Sequence, residues 1–468
     1  MTFKSLILSL LCLSLTEIAT ASDKPYWQFF KDNTDEIKNK LTYDKAFFSV
    51  SNEKNWGLAL SGWISNDFFY DTRKMQSSRE ALLGIFPLKP LPDADGKDLN
   101  ARASFRLLAL NTRVRLKITT PDVLKAKVTG LVEGWFAGIS ENDINGFALR
   151  HAYINFSWKN EKPFQSDLLI GQFWVPFFDE MTLPKVVNPN AGLPFNPFAR
   201  QPQIRYTQQL KTFQIVTYLN SQLDFASTGP LGKSTTYMSY SLIPEMGIIL
   251  KQQLTFNRED VPKQKLNYGI GFDYKNIVPR TVTASNRITK ERVASYSAMA
   301  YLDFQHFFYK DAQKSGQFRW TLKTVYGQNL NDMVMLGGYA IKAPSDGVLE
   351  DDYQYTCLQN INLWTDISLN IKRFEVGVFG GWIKNLGSLS PVYNPEMLTS
   401  YYGSGVDIDA LWRCSARLKY EPANFVQFGF ETEYTQANYA DKLNAYGLKT
   451  ASVDKGCNLR FLLNTTLF

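Results

Sequence analysis

Residues 103–118 read ASFRLLALNTRVRLKI, and their alternation decides the fold. Leu108, Leu110, Val114, Leu116 and Ile118 fall on one parity; Asn111, Arg113, Arg115 and Lys117 fall on the other. A two-residue period puts alternate side chains on opposite faces of a β-strand. One face is therefore oily and the other strongly cationic. In a membrane barrel, a cation turned toward lipid costs about 2–4 kcal/mol near the bilayer midplane. The cations must face water, and the leucines and valine face lipid.

The same pattern extends in both directions. Upstream, Leu58, Leu60, Ile64, Phe68 and Tyr70 oppose Ser61, Ser65, Asp67 and Asp71. Downstream, after a turn at 119–123 with Pro121-Asp122, Val128, Val132 and Phe136 oppose Lys127, Thr129 and Glu133, which puts Glu133 on the water side. Short turns are expected near 119–123, 159–165, 209–211, 256–264, 309–316, 371–373 and 420–423. Longer loops, many rich in Gly, Asn and Ser, are expected near 72–101, 139–146, 176–202, 221–244, 278–292, 329–356, 385–403 and 438–455. Seven turns and eight loops imply sixteen strands, an even number as in antiparallel transmembrane barrels. The segment 237–255 is the least regular, because Pro244 interrupts it. The expected fold class is all-β: a transmembrane antiparallel β-barrel over 56–468, with its third loop folded inward.

That third loop, 176–202, carries Pro176, Pro184, Pro189, Pro194, Pro197 and Pro202, so it cannot be a central strand. Phe177, Phe178, Phe195 and Phe198, with Phe173 just before it, need cover, which argues against disorder. A sixteen-strand barrel is too wide for its wall side chains to fill. A loop folded into it would cover the rings and narrow the pore.

Compartment follows from the N-terminus. Lys4, an apolar run over 5–15 and Ala19-Thr20-Ala21 read as a secretory signal, cleaved near Ala21. That run is too short to span a bilayer, which takes about 20 residues as a helix. Residues 22–55 form a short extension, with a capped helix expected from Asn33 and Glu36 through Ile37 and Leu41. Aromatics make up 14% of the chain, as suits interfacial girdles of Phe, Tyr and Trp. Beyond the signal, Cys357, Cys414 and Cys457 match neither a metal site nor a disulfide framework, and His151 and His306 are the only histidines. No cofactor, metal or nucleic-acid partner is expected, and no catalytic residue. No G-x-S-x-G is present, and Gly403-Ser404-Gly405 is too short for one.

Around 166–208, Leu168-Leu169-Ile170-Gly171-Gln172, the Pro/Phe-rich loop and Arg200-Gln201-Pro202-Gln203-Ile204-Arg205-Tyr206 resemble the trimeric sixteen-strand porins of Gram-negative outer membranes. They most closely resemble the DcaP-like group linked to dicarboxylates. The resemblance implies an outer-membrane homotrimer in lipid whose third loop forms a constriction facing a basic wall. Asp179 and Glu180 would be the loop's acidic pair and Lys185 and Arg200 its basic members. Arg205 would point inward, and Arg113, Arg115 and Lys117 would form the wall. Two departures stand out. The last strand's apolar parity is Leu459, Phe461, Leu463 and Leu467, not that of the terminal Phe468, which shifts its expected register by one. The extension lacks heptads. The expected function is passive diffusion of small hydrophilic, anionic or dicarboxylate solutes. Alternatives are a barrel for hydrophobic substrates and a non-conducting barrel that binds partners through loops 72–101 and 329–356.

Overall fold

The computed structural model describes residues 46–51, 56–159, 164–258, 261–308, 316–347, 349–440, 442–448 and 453–468. The signal peptide expected over 1–21 and the helix expected near 33–41 lie outside the described residues. Sixteen strands form the wall. The first eight are β1 Gly57–Asp71, β2 Arg113–Thr119 with an outer piece Ser104–Leu108, β3 Lys127–Trp135, β4 Ala148–Lys159, β5 Phe164–Trp174, β6 Arg200–Leu210, β7 Phe213–Asn220 and β8 Glu245–Arg258. Then follow β9 Val261–Ile277, β10 Val293–Phe307, β11 Gln317–Gln328, β12 Tyr355–Ile371, β13 Phe374–Ser388, β14 Ile408–Ala423, β15 Val426–Ala440 and β16 Val453–Leu467. Each pairs antiparallel with the next, and β16 pairs with β1, which closes the barrel. A short strand, Ala46–Ser51, also pairs with β1.

Seven short turns join the strands at one end and eight longer loops, numbered here in chain order, join them at the other. The expected rhythm is the observed one. Pro244 limits a strand as anticipated: β8 begins at Glu245, and a four-residue helix, Thr236–Ser239, lies ahead of it. The third-loop boundary differs from expectation. The β5–β6 ladder continues to Trp174 opposite Arg200, so the loop covers only 175–199 and Arg200 belongs to the wall. Pro202 is accommodated because β7 pairs with β6 only from Gln203 onward, so its missing N–H interrupts no ladder on that side.

The stretch 103–118 is not one uninterrupted strand. Asp67 faces Leu108 and Trp63 faces Arg113, so β1 spends four steps where β2 spends five. The extra residue exchanges the faces. Phe105 and Leu107 are 61% and 67% exposed to the outside, while Leu110 is 3% exposed and packs inward with Phe69, Trp135 and Leu462. The expectation that Leu108 and Leu110 face lipid is thereby corrected. Thr112 repairs the broken ladder: its hydroxyl accepts the Ser65 amide at 3.2 Å and donates to the Ser65 carbonyl at 3.4 Å.

The seam between first and last strands is polar inside. Arg460 donates from Nε and Nη2 to the two oxygens of Asp71 at 2.8 and 2.9 Å, and Asn458 adds a third bond at 2.7 Å. Asn464 donates to Asp67 at 2.7 Å. Outside, Phe461, Leu463 and Leu467 face the bilayer side. Phe468 lies past β16, so the outward parity ends one residue short of the terminal aromatic.

Inside the barrel, Leu83 of loop 1, Phe178, Leu193 and Phe198 of loop 3, Phe225 of loop 4 and Val334 of loop 6 form one apolar cluster with Trp174. The rings that needed cover have it.

Candidate pore constriction and lumen wall

One side of the lumen is an arginine–tryptophan wall. Cross-strand neighbours lie about 5 Å apart, so register dictates who meets whom. Arg113 on β2 faces Trp135 on β3, Arg115 faces Glu133, Glu133 faces His151 on β4, and Trp174 on β5 faces Arg200 on β6. Between Glu133 and Gly134 the β3–β4 register slips by one, which leaves Arg150 as the extra residue. Gly171 and Gln172 hold that bulge. Gly171 has φ +133°, where a Cβ would collide with the Ala152 carbonyl, and Gln172 Nε2 donates to the Arg150 carbonyl at 3.0 Å.

Glu133 is fully buried and sits at the centre. It accepts from Arg115 Nη2 at 2.6 Å and Arg150 Nε at 2.7 Å, with Arg113 and His151 each 3.7 Å away. The Arg113 guanidinium lies 4.3 Å over Trp63, Arg150 4.5 Å over Trp135, and Arg200 5.0 Å over Trp135 and 5.1 Å over Phe225. Such stacking attracts cations to the ring faces and replaces some of the water they lose. Arg200 also pairs with Asp224 of loop 4 at 3.4 Å, as does Arg79 of loop 1 at 3.3 Å. Glu133 and Asp224 between them thus meet five arginines. Arg150 and Arg200 are covered, whereas Arg113 and Arg115 keep 17% and 16% of their side chains open, so these two are what a solute can reach. Lys117 continues their parity toward the turn end.

The opposite wall holds loop 3. Asp179 caps the 3-10 turn Glu180–Thr182 through the Met181 amide and pairs with Lys251 on β8 at 3.1 Å. Burial opposes its charge, but Lys251, the Met181 amide and Lys323 outweigh that and hold the carboxyl below its ordinary range. Lys323 on β11 donates to the Phe177 carbonyl at 2.5 Å, and Arg319 to the Met181 carbonyl at 2.6 Å. Arg413 on β14 donates to the Leu193 carbonyl at 2.5 Å. On β15 one oxygen of Glu431 accepts the Val187 and Asn188 amides at 2.7 and 2.8 Å. Lys185 lies 3.8 Å from Glu375 on β13; burial pushes its ammonium below the usual lysine range, against the pull of that carboxylate.

The residues anticipated from sequence thus separate into groups. Arg113, Arg115, Glu133 and Arg200 come together on one wall, while Asp179 and Lys185 attach loop 3 to the other. Arg205 donates to Gln203 at 2.9 Å and to the Trp174 carbonyl; it lines a cavity of about 200 Å³ beneath loop 3 with Asp179, Thr207 and Lys251. The side chain of Glu180 lies outside the described set. Arg150, Trp135 and Trp174 were missed as wall members. Trp135 carried a signal, since it ends β3 on the parity of Glu133; Trp174 shares the parity of the outward Ile170, so alternation gave none.

No family model matches the chain, and no curated protein matches it. Among solved structures, it is similar to the outer membrane channel DcaP of Acinetobacter baumannii: 15% identity, 89% of this chain and 99% of that chain covered, TM-score 0.58. It is also similar to an anion-selective porin from Comamonas acidovorans (10% identity, 88% and 99% covered, TM-score 0.47). A further neighbour is OprB of Pseudomonas putida (8% identity, 89% and 95% covered, TM-score 0.44). At these identities the likeness concerns the fold: the chain is a closed sixteen-strand antiparallel barrel of the outer-membrane porin type.

Proposed function

We propose that this chain is an outer-membrane porin, a passive channel for small hydrophilic solutes that favours anions, with loop 3 as its constriction. The supporting observation is the wall on β2–β6, where five arginines gather around Glu133 and Asp224 and Arg113 and Arg115 keep part of their side chains open to water. Selectivity in such a channel is a matter of bore and fixed charge rather than of chemistry. A surplus of cations in a narrow, low-dielectric passage concentrates anions and speeds their entry, and salt screens the effect over about 10 Å at 0.1 M. The arginine fork also binds two carboxylate oxygens at once, which suits dicarboxylates. Packing of loops 1, 3, 4 and 6 into one apolar cluster favours a tight passage over a general one. Assembly as a homotrimer rests on the family resemblance.

Reversal potentials in planar bilayers under a KCl gradient test this reading. Chloride is expected to carry more current than potassium in the wild type, and Arg113→Glu with Arg115→Glu to reduce or invert that preference. A cation-selective wild type would overturn the anion preference. Purified barrel that yields no conductance steps would overturn the channel itself.

A further inference from the structure

Away from the arginine wall, the loop end of β7–β9 holds a buried charge cluster that solute passage does not use. Glu245, the first residue of β8, is fully buried, and neither of its carboxylate oxygens meets a hydrogen-bond donor among the described residues. Asp273 on β9 is also buried and accepts the Tyr218 hydroxyl from β7 at 2.9 Å. Gly247 permits that bond, because a Cβ there would strike the Tyr218 ring. Lys275, two residues along β9, donates to the Asn329 carbonyl at 2.6 Å and to the Asp332 carboxylate, both in loop 6. The other oxygen of Asp332 accepts from Gln222 of loop 4 at 3.0 Å.

Among the described residues, the charged and titratable groups acting most strongly around Glu245 are Asp273 and Lys275 from β9, Tyr218 from β7 and Asp332 from loop 6. Arg205 of β6 acts on Tyr218 from farther away. Three carboxylates face one ammonium, and Asp332 already claims it. A carboxylate removed from water without a donor or a free counter-charge persists only when it carries a proton.

We propose that Glu245 and Asp273 share a proton, and that this proton latches loop 6, and through it loop 3, to the barrel wall. Loss of the proton to the solvent leaves three negative charges around Lys275. Of the three, only Asp332 is not fixed on a barrel strand, so repulsion is relieved by loop 6 moving off. Loop 3 is tied to it: the Phe198 amide donates to the Met333 carbonyl at 2.8 Å, and Leu330, Met333 and Met335 pack against Phe177. Alkaline conditions thus loosen the constriction from its far side.

Hydrogen exchange of the full-length barrel in detergent, corrected for the intrinsic pH dependence of exchange, reads the latch without relying on conduction. Between pH 6 and pH 9.5, amides of residues 329–341 are expected to lose protection by about tenfold, roughly 1.4 kcal/mol of local stability. Glu245→Gln, which keeps the shape but has no charge to release, should abolish the drop. Asp332→Asn serves as the second variant should the first not fold, as judged by heat-modified gel mobility; it should abolish the drop by removing the mobile charge. Equal protection of the wild-type loop at both pH values would overturn the proposal, as would a drop that persists in either folded variant.

Discussion

The two walls of the lumen use the same residue types for different purposes. On β2–β6, arginines crowd around Glu133 and lie over tryptophans, and two of them stay open to water. On β8–β15, lysines and arginines are committed to loop 3, as Lys323, Arg319 and Arg413 each donate to a carbonyl of that loop. Charge alone does not make a selectivity residue. What matters is whether the loop's backbone has already taken the donor.

Breaking the hub of the first wall should have the largest effect. Glu133→Gln leaves its arginines around a neutral amide, and removal of one partner from a buried ion pair costs about 3–5 kcal/mol. The temperature at which the barrel loses its compact gel mobility should fall markedly. On the holding wall, Glu431→Gln weakens two charge-assisted bonds to the Val187 and Asn188 amides, worth about 1–3 kcal/mol. Hydrogen exchange at those two amides should quicken while the barrel's melting is little changed.

A paired substitution sharpens the contrast. Arg115→Gln should lower anion preference, because it removes a charge that stays partly open to the lumen. Arg413→Gln should raise conductance or its noise and leave ion preference nearly intact, because it frees the Leu193 carbonyl. An identical phenotype in both variants would erase the distinction between the walls.

The smallest effect is expected at loop 1, away from both walls. Slight burial opposes the charge of Asp98, but the Leu91 and Asn100 amides and the Arg73 guanidinium outweigh it and hold the carboxyl at about 2. A carboxyl depressed on folding contributes stability above its unfolded value near 4, and that contribution is lost as pH falls toward 2. Protease cleavage within 89–101 should be flat from pH 7 to 5 and rise only below about pH 4.

Most of the wall was legible because a water-filled barrel enforces alternation, and Arg113, Arg115 and Glu133 obey it. Two bulges hid the rest. Near residues 109–112 an added residue turned Leu110 inward, and at β4 another placed Arg150 and His151 side by side in the lumen. A period of two cannot register an insertion of one. The partners of loop 3 were illegible for another reason: Asp179 meets Lys251, and Glu431 meets Val187, through closure of the barrel rather than through local pattern.

The β1–β16 seam has a consequence for biogenesis. Asp71 depends on Arg460 and Asn458, and Asp67 on Asn464, partners almost a full chain length away. Pairings of such sequence separation form late, after the intervening loops have closed. Without Asn458 and Arg460, Asp71 would lose the three bonds that hold it, beside an open strand edge. Closing the barrel and neutralising β1 are therefore one event, carried by Asn458, Arg460 and Asn464.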